Sequence, residues 1–151
     1  VAAVPELLRA GISVGLASDG APCNNTLDPF SEMRLAALVQ GPRAGVSALS
    51  PETVVRMATL GGARVLGLER EIGSLEVGKR ADLAVVDAGG LHAAPADDPY
   101  SLLVFALRAS DVRHVMVDGQ LRVRDRTIPG LDPRALAAAA RDAARTLVAS
   151  R

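Results

Sequence analysis

Residues 12–20, "ISVGLASDG", run from an apolar stretch straight into Ser18-Asp19-Gly20. A short apolar run without alternation is the pattern of a strand buried on both faces. Such strands belong to parallel sheets covered by helices. Residues 12–17 are therefore expected to form a buried strand, with Asp19 at its C-terminal end. In parallel barrels that end carries the catalytic groups. A carboxylate there can hold a metal or move a proton. Asp-Gly is also a common turn pair, and from spacing alone a turn cap is the simpler reading of Asp19.

Upstream, residues 7–10 are helix-like and Gly11 is a stop signal. Downstream, residues 21–27 form a loop rich in Asn and Pro, and Asp28-Pro29 supplies an N-cap and first helical position. That helix is expected to reach about Val39, where Gly41-Pro42 ends it. Ser50-Pro51-Glu52 repeats the start signal for a helix carrying Val54, Val55 and Ala58, which Gly61-Gly62 should weaken or re-aim. From residue 71 the texture changes. "IGSLEVGKRADLAVVD" (72–87) has β-rich runs at 72–75 and 81–86, with Gly78-Lys79-Arg80 as a polar turn between them. After a loop over 88–99 comes a helix-like stretch near 101–108. "VRHVMVDGQLRVRD" (112–125) then reads as a hairpin around a type I′ Asp118-Gly119 turn. Asp132-Pro133 opens an alanine-rich helix. The organisation expected is an α/β segment over 1–70, a β-rich segment over 71–131 and a terminal helix over 132–151.

Bulk properties narrow the function. The 17 basic residues balance 17 acidic ones. No basic field marks a nucleic-acid partner and no polybasic patch marks a membrane surface. The aromatics are Phe30, Tyr100 and Phe105, too few for a base-stacking platform. The single Cys23 rules out an internal disulfide framework. No run approaches the roughly 20 apolar residues of a membrane span, and no signal-peptide pattern is seen. A cytoplasmic enzyme or module is expected. The chain starts at Val1, inside what reads as the second half of a helix, and is expected to be part of a longer protein.

The remaining polar residues carry less. Asn24 and Asn25 can orient a substrate or satisfy loop backbone. Cys23 has no base near it in sequence and reads as a small buried side chain. His92 and His114 form no H-x-H or H-E-x-x-H pair and read as structural or solvated. Glu32 lies at a helix start, where an acid suits the dipole. Lys79-Arg80 reads as a solvated turn.

Two segments together resemble the amidohydrolase superfamily. "IGSLEVGKRADLAVVD" is similar to the stretch with which these enzymes close a small β-sandwich after the catalytic barrel. "VGLASDGAPCNNTLDPFSEMRLAALVQ" (14–40) resembles the last barrel strand and following helix of the branch holding triazine hydrolases and S-adenosylhomocysteine/methylthioadenosine deaminases. Residues 50–69 and 98–125 fit the same branch. The resemblance implies the C-terminal end of a metal-dependent (β/α)8 barrel plus part of a β-sandwich. It implies that Asp19 is the acid after the eighth strand, binding one divalent metal (Zn²⁺ or Fe²⁺) and shuttling a proton. Ser18, Asn24 and Asn25 would support Asp19 or touch substrate. The implied reaction is hydrolytic deamination of an aminated purine or triazine, and the implied assembly is a homo-oligomer acting on a small heterocycle. Hydrolytic dechlorination is the neighbouring alternative, and a non-catalytic assembly module the alternative from another class. The acid in its SDG context favours an enzyme. The family's H-x-H pair, two further histidines and proton-transferring glutamate cannot be placed in this sequence. The chain alone is therefore expected to hold no catalytic metal and to be inactive.

Overall fold

The computed structural model describes residues 1–95 and 97–149. The helix starts are set by local chemistry. After α1 (Val4–Arg9) and the loop, Asp28 accepts from the Phe30 N–H at 3.0 Å and from the Ser31 hydroxyl at 2.8 Å. With Pro29 in the first turn this opens α2 (Pro29–Val39), which buries Phe30, Met33 and Ala37 on one face. Gly41-Pro42 does end α2, but the chain winds at once into a short α3 (Gly41–Ala44), since proline is tolerated in a first turn. Ser50 caps α4 (Pro51–Arg56) by accepting from the Thr53 N–H at 3.2 Å.

Gly61-Gly62 does not break the helix it interrupts. α4 continues through a π turn (Met57–Gly61) into α5 (Gly62–Leu66). The glycines make room for another segment. A Cβ on Gly61 would stand 2.6 Å from the Val14 carbonyl oxygen, and one on Gly15 would stand 2.9 Å from the Gly62 Cα. The chain around Gly15 thus lies directly on helix backbone, and the Leu16 N–H donates to the Met57 carbonyl at 3.2 Å. The strand expected over residues 12–17 is not formed. These residues pair with no strand among the described residues, and Ile12 is 51% exposed. A buried parallel strand needs a ladder on each side, and the described residues supply neither.

The strand expected at 72–75 is also absent. Gly73 turns the chain at φ +91°, and a Cβ there would lie 2.8 Å from the Ala63 Cβ and 2.9 Å from the Leu60 Cα. The β-rich segment is thereby docked on the π turn and α5. Lys79, read as solvated, is largely buried. Its ammonium donates to the Glu69 carbonyl at 2.7 Å and the Ser74 hydroxyl at 2.6 Å, and lies 3.2 Å from the Glu76 carboxylate. Three acceptors for three N–H groups let this amine be buried. Arg80 does remain exposed, paired with Glu71 at 2.9 Å.

β1 (Leu83–Val86) leads through a 3₁₀ turn (Leu91–Ala93) to α6 (Pro99–Ser101), which passes into a π turn (Leu102–Ala106). β2 (Val112–Val117) and β3 (Gln120–Val123) form the hairpin, with Asp118 at φ +50° and Gly119 at φ +75° as a type I′ turn requires. The sheet order is β1-β2-β3 and both ladders are antiparallel, where the apolar run at 12–17 had suggested a parallel sheet. Asp132 accepts from the Arg134 N–H at 2.8 Å and starts α7 (Pro133–Ala149), exposed along its length. The core joins α2 and α4 to the π turn at 102–106 through Phe30, Met33, Val54, Met57 and Val104. The Arg34 guanidinium donates to the Phe105 carbonyl across that junction.

Asp111 ties the sheet to its loops. Its carboxylate accepts from the Arg108 N–H at 2.9 Å and is hydrogen-bonded at 2.9 Å to His92 Nε2. Its carbonyl accepts from the Asp87 N–H at 2.8 Å. His92 is thus structural, as its isolation in the sequence implied. The His92 bond, with the Arg108 N–H, outweighs burial and holds the Asp111 carboxyl below its usual value. A depressed folded pKa contributes stability that is fully present above the unfolded value and is lost as pH falls through the folded one. Asp111→Ala should cost about 1–3 kcal/mol at neutral pH. That deficit against wild type should shrink in urea melts taken below about pH 3.8, the ordinary carboxylate value. A deficit independent of pH would mean that the ionised carboxylate is not what joins these segments.

Candidate functional site

Ser18 and Asp19 follow the segment that lies on the glycines of the π turn and α5. Asp19 takes a left-handed backbone conformation, φ +59°, uncommon for a residue with a Cβ but tolerated by Asp. Its side chain is exposed. Oδ1 accepts from the Gly20 N–H at 2.7 Å, so the turn-cap reading holds in part. The Ser18 hydroxyl donates to the Asp19 carbonyl at 3.4 Å and makes no bond to the carboxylate.

The loop that follows closes on Gly20, whose carbonyl accepts from the N–H groups of Cys23 and Asn24, each at 2.9 Å. Asn24 turns inward. Its Nδ2 donates to Glu32 Oε1 in the first turn of α2, and its Oδ1 accepts from the Thr26 N–H at 3.3 Å and hydroxyl at 3.0 Å. Asn25 faces solvent, and so does the free thiol of Cys23, which the sequence reading had buried: the loop around it is exposed and offers no core to pack into. The structure therefore separates the four predicted residues. Asp19 and Asn25 present exposed side chains at the loop, Asn24 is spent on holding it, and Ser18 touches only backbone. Sequence reasoning missed Glu32 as a partner of this loop. No local signal marks it, because Asn24 and Glu32 meet only once the loop has folded back onto α2.

Among the described residues no group of three or more His, Cys, Asp or Glu side chains converges to hold a metal. His114 lies on β2 and accepts through Nδ1 from the Asp125 N–H at 3.3 Å. Asp19 fits a metal as one exposed carboxylate donor, and a complete coordination sphere needs donors beyond this chain. Two clefts lie elsewhere. One of about 300 Å³ is lined by Ser13, Thr53, Arg56 and Arg64; the other, of about 270 Å³, by Leu16, Glu32, Leu35 and Gln40. Neither includes Asp19. No helix among the described residues is long and apolar enough to cross a membrane.

Comparison with known proteins places these features in context. Residues 1–122 match the model of the amidohydrolase family. The chain is 45% identical over 149 residues to a 5-methylthioadenosine/S-adenosylhomocysteine deaminase of Haloarcula marismortui, covering 98% of this chain and 34% of that protein. It is 38% identical over 129 residues to an S-triazine hydrolase of Gordonia rubripertincta, covering 85% of this chain and 27% of the relative. A solved adenosine deaminase from Xanthomonas campestris with bound zinc superposes with a TM-score of 0.88 at 40% identity, over 92% of this chain and 32% of its own. An atrazine chlorohydrolase from Arthrobacter aurescens, complexed with zinc, superposes with a TM-score of 0.79 at 31% identity, over 91% and 31%. The chain thus spans about a third of the length of these relatives.

Proposed function

Since the chain belongs to the amidohydrolase family, we propose that it is the C-terminal part of a metal-dependent aminohydrolase. Its substrate is a small aminated heterocycle of the purine or triazine class. On this reading residues 1–70 supply the last strand and helices of a (β/α)8 barrel, 71–131 a segment of a β-sandwich, and 132–151 a terminal helix. The working protein is a cytoplasmic homo-oligomer. The observation that carries the proposal is the 45% identity to a methylthioadenosine/S-adenosylhomocysteine deaminase over 98% of this chain, which takes in Asp19 and its loop.

Asp19 would be one ligand of a divalent cation, zinc by analogy with the zinc-bound relatives. When bound, such a cation lowers the pKa of a water toward neutrality. The chain's own part is proton transfer. The Asp19 carboxylate takes the proton released as water oxygen bonds to the ring carbon bearing the amino group. It returns that proton to the exocyclic nitrogen as the C–N bond breaks and ammonia leaves. The Gly20 N–H on Oδ1 leaves Oδ2 for this exchange. Asn25, exposed on the same loop, would be the residue that meets a substrate.

A longer polypeptide containing this chain, loaded with zinc, should release ammonia from 5′-methylthioadenosine or S-adenosylhomocysteine. Release of chloride from a chlorotriazine without deamination would move the assignment to dechlorination, which the likeness to the triazine and atrazine hydrolases keeps as the second reading. Absence of both products with a full metal complement would overturn the hydrolase proposal.

A further inference from the structure

Glu32 has a role that its place on α2 does not explain. An acid in a first turn is accounted for by the helix dipole, yet this carboxylate accepts from Asn24 Nδ2 across the loop. The Asn24 backbone N–H reaches the Gly20 carbonyl at 2.9 Å. The Gly20 N–H in turn donates to Asp19 Oδ1 at 2.7 Å. Three hydrogen bonds, joined through the backbone of Asn24 and Gly20, thus link Glu32 to Asp19.

Two further observations give this link weight. From Asp19 to Leu27 every residue except Asn24 is exposed, so no apolar packing fixes the loop. At the other end, α2 is firmly seated by buried Phe30, Met33 and Ala37 and by its Asp28 cap.

We propose that Glu32 is a positioning residue: through Asn24 it anchors the exposed loop to α2 and fixes the direction of the Asp19 carboxylate. This rests on the reading of Asp19 as the proton-transferring group. A loop left free to drift misplaces that carboxylate, and a misplacement of about 1 Å costs about 100-fold in rate.

The test uses the longer polypeptide loaded with zinc and 5′-methylthioadenosine as substrate, with amide hydrogen exchange as a readout independent of turnover. Glu32→Ala should lower kcat by about 100-fold with KM changed less than about threefold. The Cys23 and Asn24 amides should exchange faster while those of α2 keep their protection. Glu32→Gln keeps an oxygen acceptor for Asn24 and should restore most of the rate. Asn24→Ala cuts the same link without touching α2 and should reproduce the loss, and the double variant should be no worse than either single one. An inactive Asp19→Asn beside a fully active Glu32→Ala would overturn the positioning role alone. Unchanged exchange at Cys23 and Asn24 in Glu32→Ala would do the same. Full turnover in Asp19→Asn would overturn the underlying assignment, and the proposal with it.

Discussion

Asp19→Asn, made in the longer metal-loaded polypeptide, should lower turnover by about 10²–10⁴-fold, the usual contribution of a positioned proton-transfer group. The thermal midpoint should hardly move. Asn has the shape of Asp and keeps an oxygen for the Gly20 N–H that Oδ1 now accepts at 2.7 Å. It also tolerates the left-handed backbone at φ +59° as readily as Asp does. What it loses is the negative charge and the ability to carry a proton. Steady-state kinetics and a thermal melt on the same preparation separate the two effects. Near-normal turnover would remove Asp19 from the reacting centre. A large loss of stability would show that its turn-capping bond matters more than its exposure suggests.

Two adjacent glycines should respond in opposite directions to the same substitution. Both lie in helical backbone, where Gly→Ala ordinarily gains about 0.5–1 kcal/mol. At Gly62 the nearest atom to a new Cβ is the Met57 carbonyl oxygen at 3.8 Å, an ordinary contact, so Gly62→Ala should be neutral or stabilising. At Gly61 the new Cβ would stand 2.6 Å from the Val14 carbonyl oxygen and 3.0 Å from that of Arg56. Both obstacles are backbone and cannot swing aside. The overpacking cost of about 1–3 kcal/mol exceeds the propensity gain, and Gly61→Ala should destabilise. Gly73→Ala should be worse still. It adds left-handed strain at φ +91° to contacts of 2.8 Å with Ala63 and 2.9 Å with Leu60. Gly78→Ala, at φ +94° with nothing within 4 Å, isolates the strain alone. Urea midpoints for the four variants should rank Gly62, Gly78, Gly61, Gly73 from most to least stable. Equal midpoints for Gly61→Ala and Gly62→Ala would show that residues 14–16 do not lie on this helix.

What the sequence made legible follows from the range over which each signal acts. Asp28-Pro29, Ser50-Pro51, Asp132-Pro133 and Asp118-Gly119 each begin or turn an element by bonds within a few residues, and each does so in the structure. The runs at 12–17 and 72–75 were apolar enough for strands, but a strand exists only with a partner strand, and no strand among the described residues pairs with them. Gly61-Gly62 read as weakening or re-aiming a helix, and Gly73 as part of a strand, because the purpose of these glycines, close backbone approach, involves residues not adjacent in the chain. Lys79 looked solvated because its turn is polar, and its acceptors at Glu69 and Ser74 come into reach only when the turn closes. Of the candidate site, Asp19 was singled out by its place after an apolar run, and the structure shows it exposed in a turn. The inward role of Asn24 was not legible, since it depends on Glu32 from the next helix.

Lys79 has a practical consequence of another kind. It is the one lysine in a chain that carries sixteen arginines. All three of its N–H groups have acceptors, and only 11% of its side chain is accessible. An amine whose N–H groups are engaged and whose approach is blocked reacts slowly with acylating reagents. Within this chain the folded side-chain amine is therefore a silent target for amine-directed labels and for lysine-specific proteases. It becomes reactive when the Glu69–Lys79 turn opens, so the rate of labelling at this single position is a direct clock for that opening.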